Sequence, residues 1–168
     1  MDEKTGRCAI LFPHGVLGRD EEKDLRAKLV EADVVDCVIG IGRNLFYNSP
    51  MEACIILCQS KKSDDRKNKV LFIDAKDKVT RKNAESYLEP NHIKEIVEIY
   101  NNYTNIEGVA SVVDLETIIG NENSLTIQMY VASSLNKSYN LHDSLEEYVV
   151  ASDLMHNELD KLYKIFLK

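Results

Sequence analysis

The sequence predicts an α/β fold, and two observations carry this prediction. Residues 7–12 form a continuous apolar run and residues 34–41 are mostly apolar, and both patterns are typical of strands buried on both faces of a sheet. Between them, residues 20–32 begin with acidic side chains and then place Leu25, Leu29 and Ala32 at helical spacing, which predicts a helix. Because a strand, a helix and a strand follow one another, we expect a βαβ unit with a right-handed crossover.

The following residues continue the alternation less regularly. Residues 53–58 and 70–73 are predicted as two more strands, and the polar stretch at 76–89 is predicted to be irregular. Pro90 fits the first position of a helix, where its missing N–H has no partner to lose. A short β-like stretch at 108–113 and a helical turn at 114–119 come next. The buried stripe of the helix that starts at Pro90 is expected to be Ile93, Ile96, Val97 and Tyr100.

Residues 143–168 predict a C-terminal amphipathic helix. Asp143 and Glu146 have the spacing of a capping pair. Apolar side chains then recur at intervals of three and four, interrupted by Ser152, as in the seam of a coiled coil. A helix with one apolar face must bury it, either against a partner protein or against the chain's own domain. The seam consists of Leu145, Tyr148, Met155, Leu159, Leu162 and Phe166.

Length, composition and charge limit the classes of protein. With 168 residues, of which 44% are hydrophobic and 29% charged, the chain can form a globular core. No apolar run approaches the roughly 20 residues that cross a bilayer, and the first residues have no signal-peptide core, so a cytoplasmic protein is expected. The net charge of −7 excludes a protein that is basic overall. Any contact with nucleic acid is therefore local or is made by a partner.

The reactive side chains match no metal-binding or hydrolytic motif. The four cysteines all lie in apolar runs and are predicted to be buried free thiols, and no metal ion is expected because the histidines lack zinc-binding spacing. Cys54 and Cys58 would lie roughly 13 Å apart along a strand, which excludes a disulfide between them. One basic cluster is interpreted as a solvated turn, with phosphate contact as the alternative. It consists of Lys61, Lys62, Arg66, Lys67 and Lys69.

An ordered set of segments resembles one protein family. The set comprises GRCAILFPHGVL at 6–17, RAKL at 26–29, VIGI at 38–41, NLFY at 44–47, ACIIL at 53–57, KVLFIDA at 69–75 and, more weakly, SLTIQMYV at 124–131. Together these segments resemble the modification subunits of type I restriction–modification systems, which methylate adenine N6 in DNA. The resemblance covers residues 6–131 and identifies the chain with the C-terminal part of such a subunit.

The resemblance implies a fold and a division of the chain. It implies the C-terminal part of a Rossmann-like methyltransferase sheet, in which the third strand of this chain runs antiparallel between the first and the second, followed by a helical region. Residues 1–75 would complete the catalytic domain, 76–142 would form an α-rich extension, and 143–168 would be the closing helix. The first strand would lose its family neighbour, so its edge is expected to be exposed and to pair with a second copy or to be covered.

The resemblance also implies site residues. Such an enzyme flips its target adenine out of the duplex and stacks it on an aromatic side chain. Phe46 would supply that face, with Tyr47 and Asn44 beside it, although Phe46 could instead pack into the core beneath its loop. Pro13, His14 and Gly15 end a strand at the carboxyl edge of the sheet and could contact DNA or border the site, with a solvated turn as the alternative for His14.

The chain departs from the family in the residues that carry the chemistry. The glycine motif that binds S-adenosylmethionine and the Asn-Pro-Pro-aromatic catalytic motif are absent from the sequence. The intact subunit is expected to use S-adenosylmethionine and to assemble with a DNA-specificity subunit and a restriction subunit on DNA. This chain alone is expected to bind no cofactor and to be inactive. The rival interpretation is a non-catalytic interaction module that derives from a methyltransferase.

Overall fold

The structure is a computed structural model that describes residues 2, 4–46, 49–82 and 85–131. The short 3₁₀ turns lie at His14–Leu17, Asp20–Glu22 and Ile127–Met129. The strands and helices of this part are β1 (Arg7–Pro13), α1 (Lys23–Glu31), β2 (Val35–Ile41), β3 (Ala53–Gln59), β4 (Lys69–Ala75), β5 (Thr80–Lys82), β6 (Glu85–Tyr87), α2 (Pro90–Asn102), β7 (Ala110–Asp114) and α3 (Leu115–Gly120).

Five strands form one mixed sheet in the order β1-β3-β2-β4-β7. β3 pairs antiparallel with β1 on one side and with β2 on the other, while β2 and β4 are parallel. The insertion of the third strand between the first two is therefore confirmed. β7 adds a second antiparallel strand beside β4, where the sequence predicted only a short β-like stretch.

Helices cover both faces of the sheet. On one face, α1 and α3 pack over a core that includes Leu17, Val30 and Phe72, and the ring of Phe72 lies 4.4 Å from that of Tyr130. On the other face, α2 covers Leu71 and Ile73. Every residue of β2 is buried, as the continuous apolar run predicted for a central strand. Full burial of one such large apolar side chain stabilises the fold by about 1.5–3 kcal/mol.

The expectation that the first strand is buried on both faces is wrong. β1 hydrogen-bonds only with β3 in the described part of the chain, and Ile10 and Leu11 are 38% and 50% exposed. An apolar run does not reveal whether a strand is central or marginal, because position in the sheet depends on contacts distant in sequence. Among the described residues β1 is an edge strand, as the family resemblance implied, and pairing with a second copy stays a prediction.

The predicted stripe of the second long helix is shifted. Ile93 and Val97 are 49% and 48% exposed, whereas Ile99 is buried and Ile96 packs against the core. Tyr100, another predicted member of the stripe, also packs against the core, and its hydroxyl donates to Asp36 over 2.6 Å. The buried face of α2 therefore keeps Ile96 and Tyr100 and includes Ile99 in place of Ile93 and Val97.

Two further expectations need correction. The stretch at 76–89 is not irregular, because β5 and β6 pair there as an antiparallel hairpin. In α1, Leu25 is 50% exposed and Arg26 is buried. The Arg26 guanidinium donates to the carbonyl oxygens of Val16, Arg19 and Asn123, so a charged residue takes an interior position by satisfying main-chain acceptors. The predicted C-terminal helix, with its seam residues, lies outside the described residues.

Candidate functional site

The candidate site lies at one edge of the sheet. β1, β2 and β4 run in the same direction, so their carboxyl ends, at Pro13, Ile41 and Ala75, point to the same edge. Ile41 and Ala75 are directly paired, and the backbone N–H of His14 donates to the carbonyl oxygen of Glu52 over 3.2 Å. Open α/β sheets bind ligands at this edge.

Residues 42–52 join β2 to β3 and are called the 42–52 loop. It starts against the next turn, since a Cβ added to Gly42 would lie 2.4 Å from the carbonyl oxygen of Lys76. Asn44 adopts the left-handed conformation at φ 60°, which asparagine tolerates better than most residues. Arg43 and Glu52 form an ion pair of 2.8 Å between the two ends of the loop. The loop is therefore held at both ends, and Phe46 lies between them.

Phe46 is half-buried in the 42–52 loop. Its side chain packs against the core on the α2 side of the sheet, next to Leu45. Its carbonyl oxygen accepts the N–H of Ser49 over 3.1 Å. The side chain thus contacts the core and keeps part of its surface open. Tyr47, the other predicted aromatic, lies outside the described residues.

The turn after β1 contains the second predicted group. Pro13 is exposed and pairs with Ala53, and His14 is half-buried at the start of a 3₁₀ turn. The carbonyl oxygen of Gly15 accepts the N–H groups of Gly18 and Arg19. This turn reaches the end of the 42–52 loop through His14 and Glu52, so both predicted groups lie at one edge.

Sequence reasoning missed a basic segment at the same edge. Residues 76–82 carry four cations, Lys76, Lys78, Arg81 and Lys82, and one carboxylate, Asp77, in a chain of net charge −7. The density of cations over seven residues was the available signal. Lys76 pairs with Asp74 over 2.9 Å, and the hydrogen bond to that carboxylate is the main cause that raises the pKa of Lys76.

The basic cluster at 61–69 lies at the opposite edge and is not simply a solvated turn. Lys62 is buried and donates to Asp33 over 2.5 Å and to the carbonyl oxygen of Lys69 over 2.7 Å. Arg66 lies over the rings of Tyr100 and Tyr103, at 4.8 and 4.3 Å, and pairs with the buried Asp36. Arg66 connects β2 to α2, and Lys62 connects the turn after α1 to the start of β4, so both cations are engaged within the fold.

The thiols are free and mostly interior. Cys37, Cys54 and Cys58 are buried, and Cys8 is half-buried. Burial raises the pKa of Cys54 to about 11 and that of Cys58 to about 12, so both remain protonated at neutral pH. Within the described ranges, no three His, Cys, Asp or Glu side chains converge as metal ligands. No described helix is long and apolar enough to cross a membrane.

The described residues do not fit S-adenosylmethionine. A cofactor site of this kind needs a glycine-rich turn after a strand and a carboxylate that is free to bind the ribose. The turns after β1, β2 and β4 are Pro13-His14-Gly15, Gly42-Arg43-Asn44 and Lys76-Asp77-Lys78. Asp74, at the end of β4, is held by Lys76 and accepts the Lys76 backbone N–H as well.

Comparison with known proteins agrees with this architecture. A family model described as N-6 DNA Methylase matches residues 1–138. The type I restriction enzyme MjaVII methylase subunit of Methanocaldococcus jannaschii is 33% identical over 147 residues, which cover 84% of this chain and 26% of that protein. The MpnII methylase subunit of Mycoplasma pneumoniae is 31% identical over 135 residues, covering 80% and 24%. The chain thus spans about a quarter of the length of these curated relatives.

A solved structure gives the same result. The type I restriction–modification system methyltransferase subunit from Streptococcus thermophilus superposes with a TM-score of 0.70 at 31% identity, over 75% of this chain and 26% of that one. A structure concerned with assembly of a type I restriction–modification system superposes at 0.56 with 13% identity over 98% and 37%, and shows the fold alone. The match of the family model over most of the sequence decides the assignment, and the chain belongs to the N-6 DNA methylase family.

Proposed function

We propose that this chain supplies the target-base loop of an adenine-N6 DNA methyltransferase in a type I restriction–modification system. In the assembled enzyme the methyl group would come from S-adenosylmethionine. The observation that carries the proposal is the placement of Phe46. It is a partly open aromatic side chain in a loop held at both ends, at the edge of the sheet where such folds bind ligands.

A loop with this function must hold a base that has left the DNA duplex. A base inside a duplex is inaccessible to a methyl donor, so the enzyme must flip it out and compensate for the lost stacking. An aromatic face contributes about 1–3 kcal/mol per stacked base. A tethered loop keeps that face in place before the base arrives, which lowers the ordering cost of binding. The pairs Arg43–Glu52 and His14–Glu52 and the contact of Gly42 with Lys76 support such a role.

Phe46 also packs against the core, so the experiment must separate core packing from stacking on the target base. Phe46→Leu keeps an apolar side chain against the core but removes the aromatic face, whereas Phe46→Tyr keeps both. In the complete gene product, assembled with the subunits it needs, we expect Phe46→Leu to lower the methylation rate roughly 5- to 150-fold, which corresponds to about 1–3 kcal/mol. Phe46→Tyr should stay close to wild type. Equal rates for Phe46→Leu and wild type would leave Phe46 with packing alone.

The partners are also part of the proposal. The seam of Leu145, Tyr148, Met155, Leu159, Leu162 and Phe166 would dock on the helical part of a DNA-specificity subunit, with a restriction subunit completing the complex. Names of the relatives support a type I assembly. We propose that this chain alone binds no S-adenosylmethionine and transfers no methyl group, because its described residues do not fit the cofactor.

A further inference from the structure

We propose that the 80–87 hairpin, formed by β5 and β6, contacts the phosphate backbone of duplex DNA beside the flipped base. The inference rests on the proposed function and extends it to a second element that the sequence pattern did not reveal. The partner is double-stranded DNA, and the groups that would meet its phosphates are Arg81 and Lys82.

Geometry couples the hairpin to the 42–52 loop. The backbone N–H of Ser86 donates to the carbonyl oxygen of Asn44 over 3.3 Å, two residues before Phe46. The segment that leads into the hairpin touches the start of the same loop, where Gly42 lies against the carbonyl oxygen of Lys76. A DNA phosphate bound by the hairpin would therefore lie close to a base that is bound by Phe46.

Charge makes the hairpin suited to phosphates. Arg81 and Lys82 are exposed and follow two cations whose positions are fixed by acids, Lys76 by Asp74 and Lys78 by Glu95. Successive residues of a strand point to opposite faces, so Arg81 and Lys82 extend on the two sides of the ribbon. A two-stranded ribbon with cations on both sides can reach the two backbones that border a DNA groove.

The basic cluster at the opposite edge of the sheet is less suited to bind phosphates near Phe46. In the cluster at 61–69, Lys62 and Arg66 are already engaged by Asp33 and Asp36. Lys61 and Lys67 are exposed there, but they lie at the amino-terminal ends of β2 and β4, away from the 42–52 loop. The same number of removable charges thus exists at both edges, which provides a matched control.

The test measures how salt changes DNA affinity. Each lost phosphate contact makes the slope of log affinity against log salt concentration less negative by about 0.9. We expect Arg81→Gln with Lys82→Gln, in the complete gene product within its complex, to flatten the slope by roughly 0.9–1.8. When salt rises from about 50 to 200 mM, the factor by which DNA affinity falls should be about threefold smaller for each lost contact. Lys61→Gln with Lys67→Gln should leave the slope unchanged.

Three further readouts decide the outcome. Both double variants should keep the wild-type melting temperature, since surface substitutions of this kind change stability by only about 0.5 kcal/mol. A slope unchanged by the hairpin variant, or equal flattening by both variants, would overturn the proposal. So would a hairpin variant that weakens subunit assembly instead of DNA binding. If the hairpin variant flattens the slope as expected but Phe46→Leu methylates at the wild-type rate, the phosphate contact is retained and the stacking role of Phe46 is rejected.

Discussion

The backbone N–H of Ser86 donates to the carbonyl oxygen of Asn44 over 3.3 Å, so the 80–87 hairpin holds the 42–52 loop just before Phe46. On the other side, Gly42 lies against Lys76, and Arg43 and Glu52 pair over 2.8 Å. The aromatic residue of the loop is thus positioned by its neighbours in the fold.

Gly42 tests this arrangement directly. A Cβ at Gly42 would lie 2.4 Å from the Lys76 carbonyl oxygen and 2.9 Å from Val79, so the backbone must shift in Gly42→Ala. We expect overpacking of about 1–3 kcal/mol, which lowers the melting temperature by about 2–4 °C per kcal/mol. Gly120→Ala is the matched control, because no atom lies within 4 Å of its added Cβ. Equal melting temperatures for the two variants would contradict the close approach.

The buried thiols predict a pH dependence of stability. Below pH 9.0, the ordinary pKa of a thiol, both folded and unfolded chains hold the Cys54 proton. Above it the unfolded thiol ionises, while the folded thiol stays protonated until its raised pKa of about 11 is passed. The contribution of Cys54 to the free energy of unfolding is therefore present below pH 9 and is lost as the pH rises towards 11.

Urea unfolding at several pH values checks this sign. Cys54→Ala should be less stable than wild type because of its cavity, and its stability should fall less steeply above pH 9. Parallel pH profiles for the two proteins would show that the Cys54 thiol contributes no pH dependence.

The described residues lack the features of an S-adenosylmethionine site, which predicts that the cofactor does not bind. Calorimetry of this chain with S-adenosylmethionine up to about millimolar concentration should show no heat of binding, because the turns at the sheet edge lack the glycine-rich motif. A dissociation constant near 1 µM, about −8 kcal/mol, would contradict this prediction.

The C-terminal seam predicts a defect in assembly. Leu159→Ala with Leu162→Ala removes two apolar anchors, each worth about 1.5–3 kcal/mol when buried. In the complete gene product we expect roughly thousandfold weaker binding to the specificity subunit, measured by pull-down at graded concentrations. Unchanged assembly would reject docking. Impaired assembly with a melting temperature lowered by more than about 10 °C would show that the helix packs on its own domain.

The strands were predictable because they are local apolar runs. β2 and β3 were found within a residue of their bounds, and the antiparallel place of β3 followed from the family resemblance. The marginal position of β1 was not predictable, because the same apolar run suits a central or an edge strand. The stripe of α2 was predicted in part, because Ile96 and Tyr100 face the core, but the burial of Ile99 was missed since it packs on strand residues distant in sequence.

The positions of the candidate residues in the fold were predicted in part, and their roles stay predictions. Residues 44 and 46 were placed in the loop that the structure also gives them, and Pro13 and His14 at the same edge. The hairpin was missed because its strands are three residues each and polar, which gives no hydrophobic period. Lys62 was interpreted as solvated because a buried lysine is rare, and its partner Asp33 lies 29 residues away.

Fluorescence of 2-aminopurine at the target position tests whether Phe46 stacks on a flipped target base. This base analogue brightens when it leaves the duplex stack and dims when it stacks on an aromatic side chain. In the assembled enzyme we expect dim complexes with wild type and Phe46→Tyr and a bright complex with Phe46→Leu. Melting temperatures of the three proteins should agree within about 4 °C, the equivalent of roughly 1 kcal/mol. Equal fluorescence for wild type and Phe46→Leu, with DNA bound in both, would show that Phe46 does not stack on the flipped base.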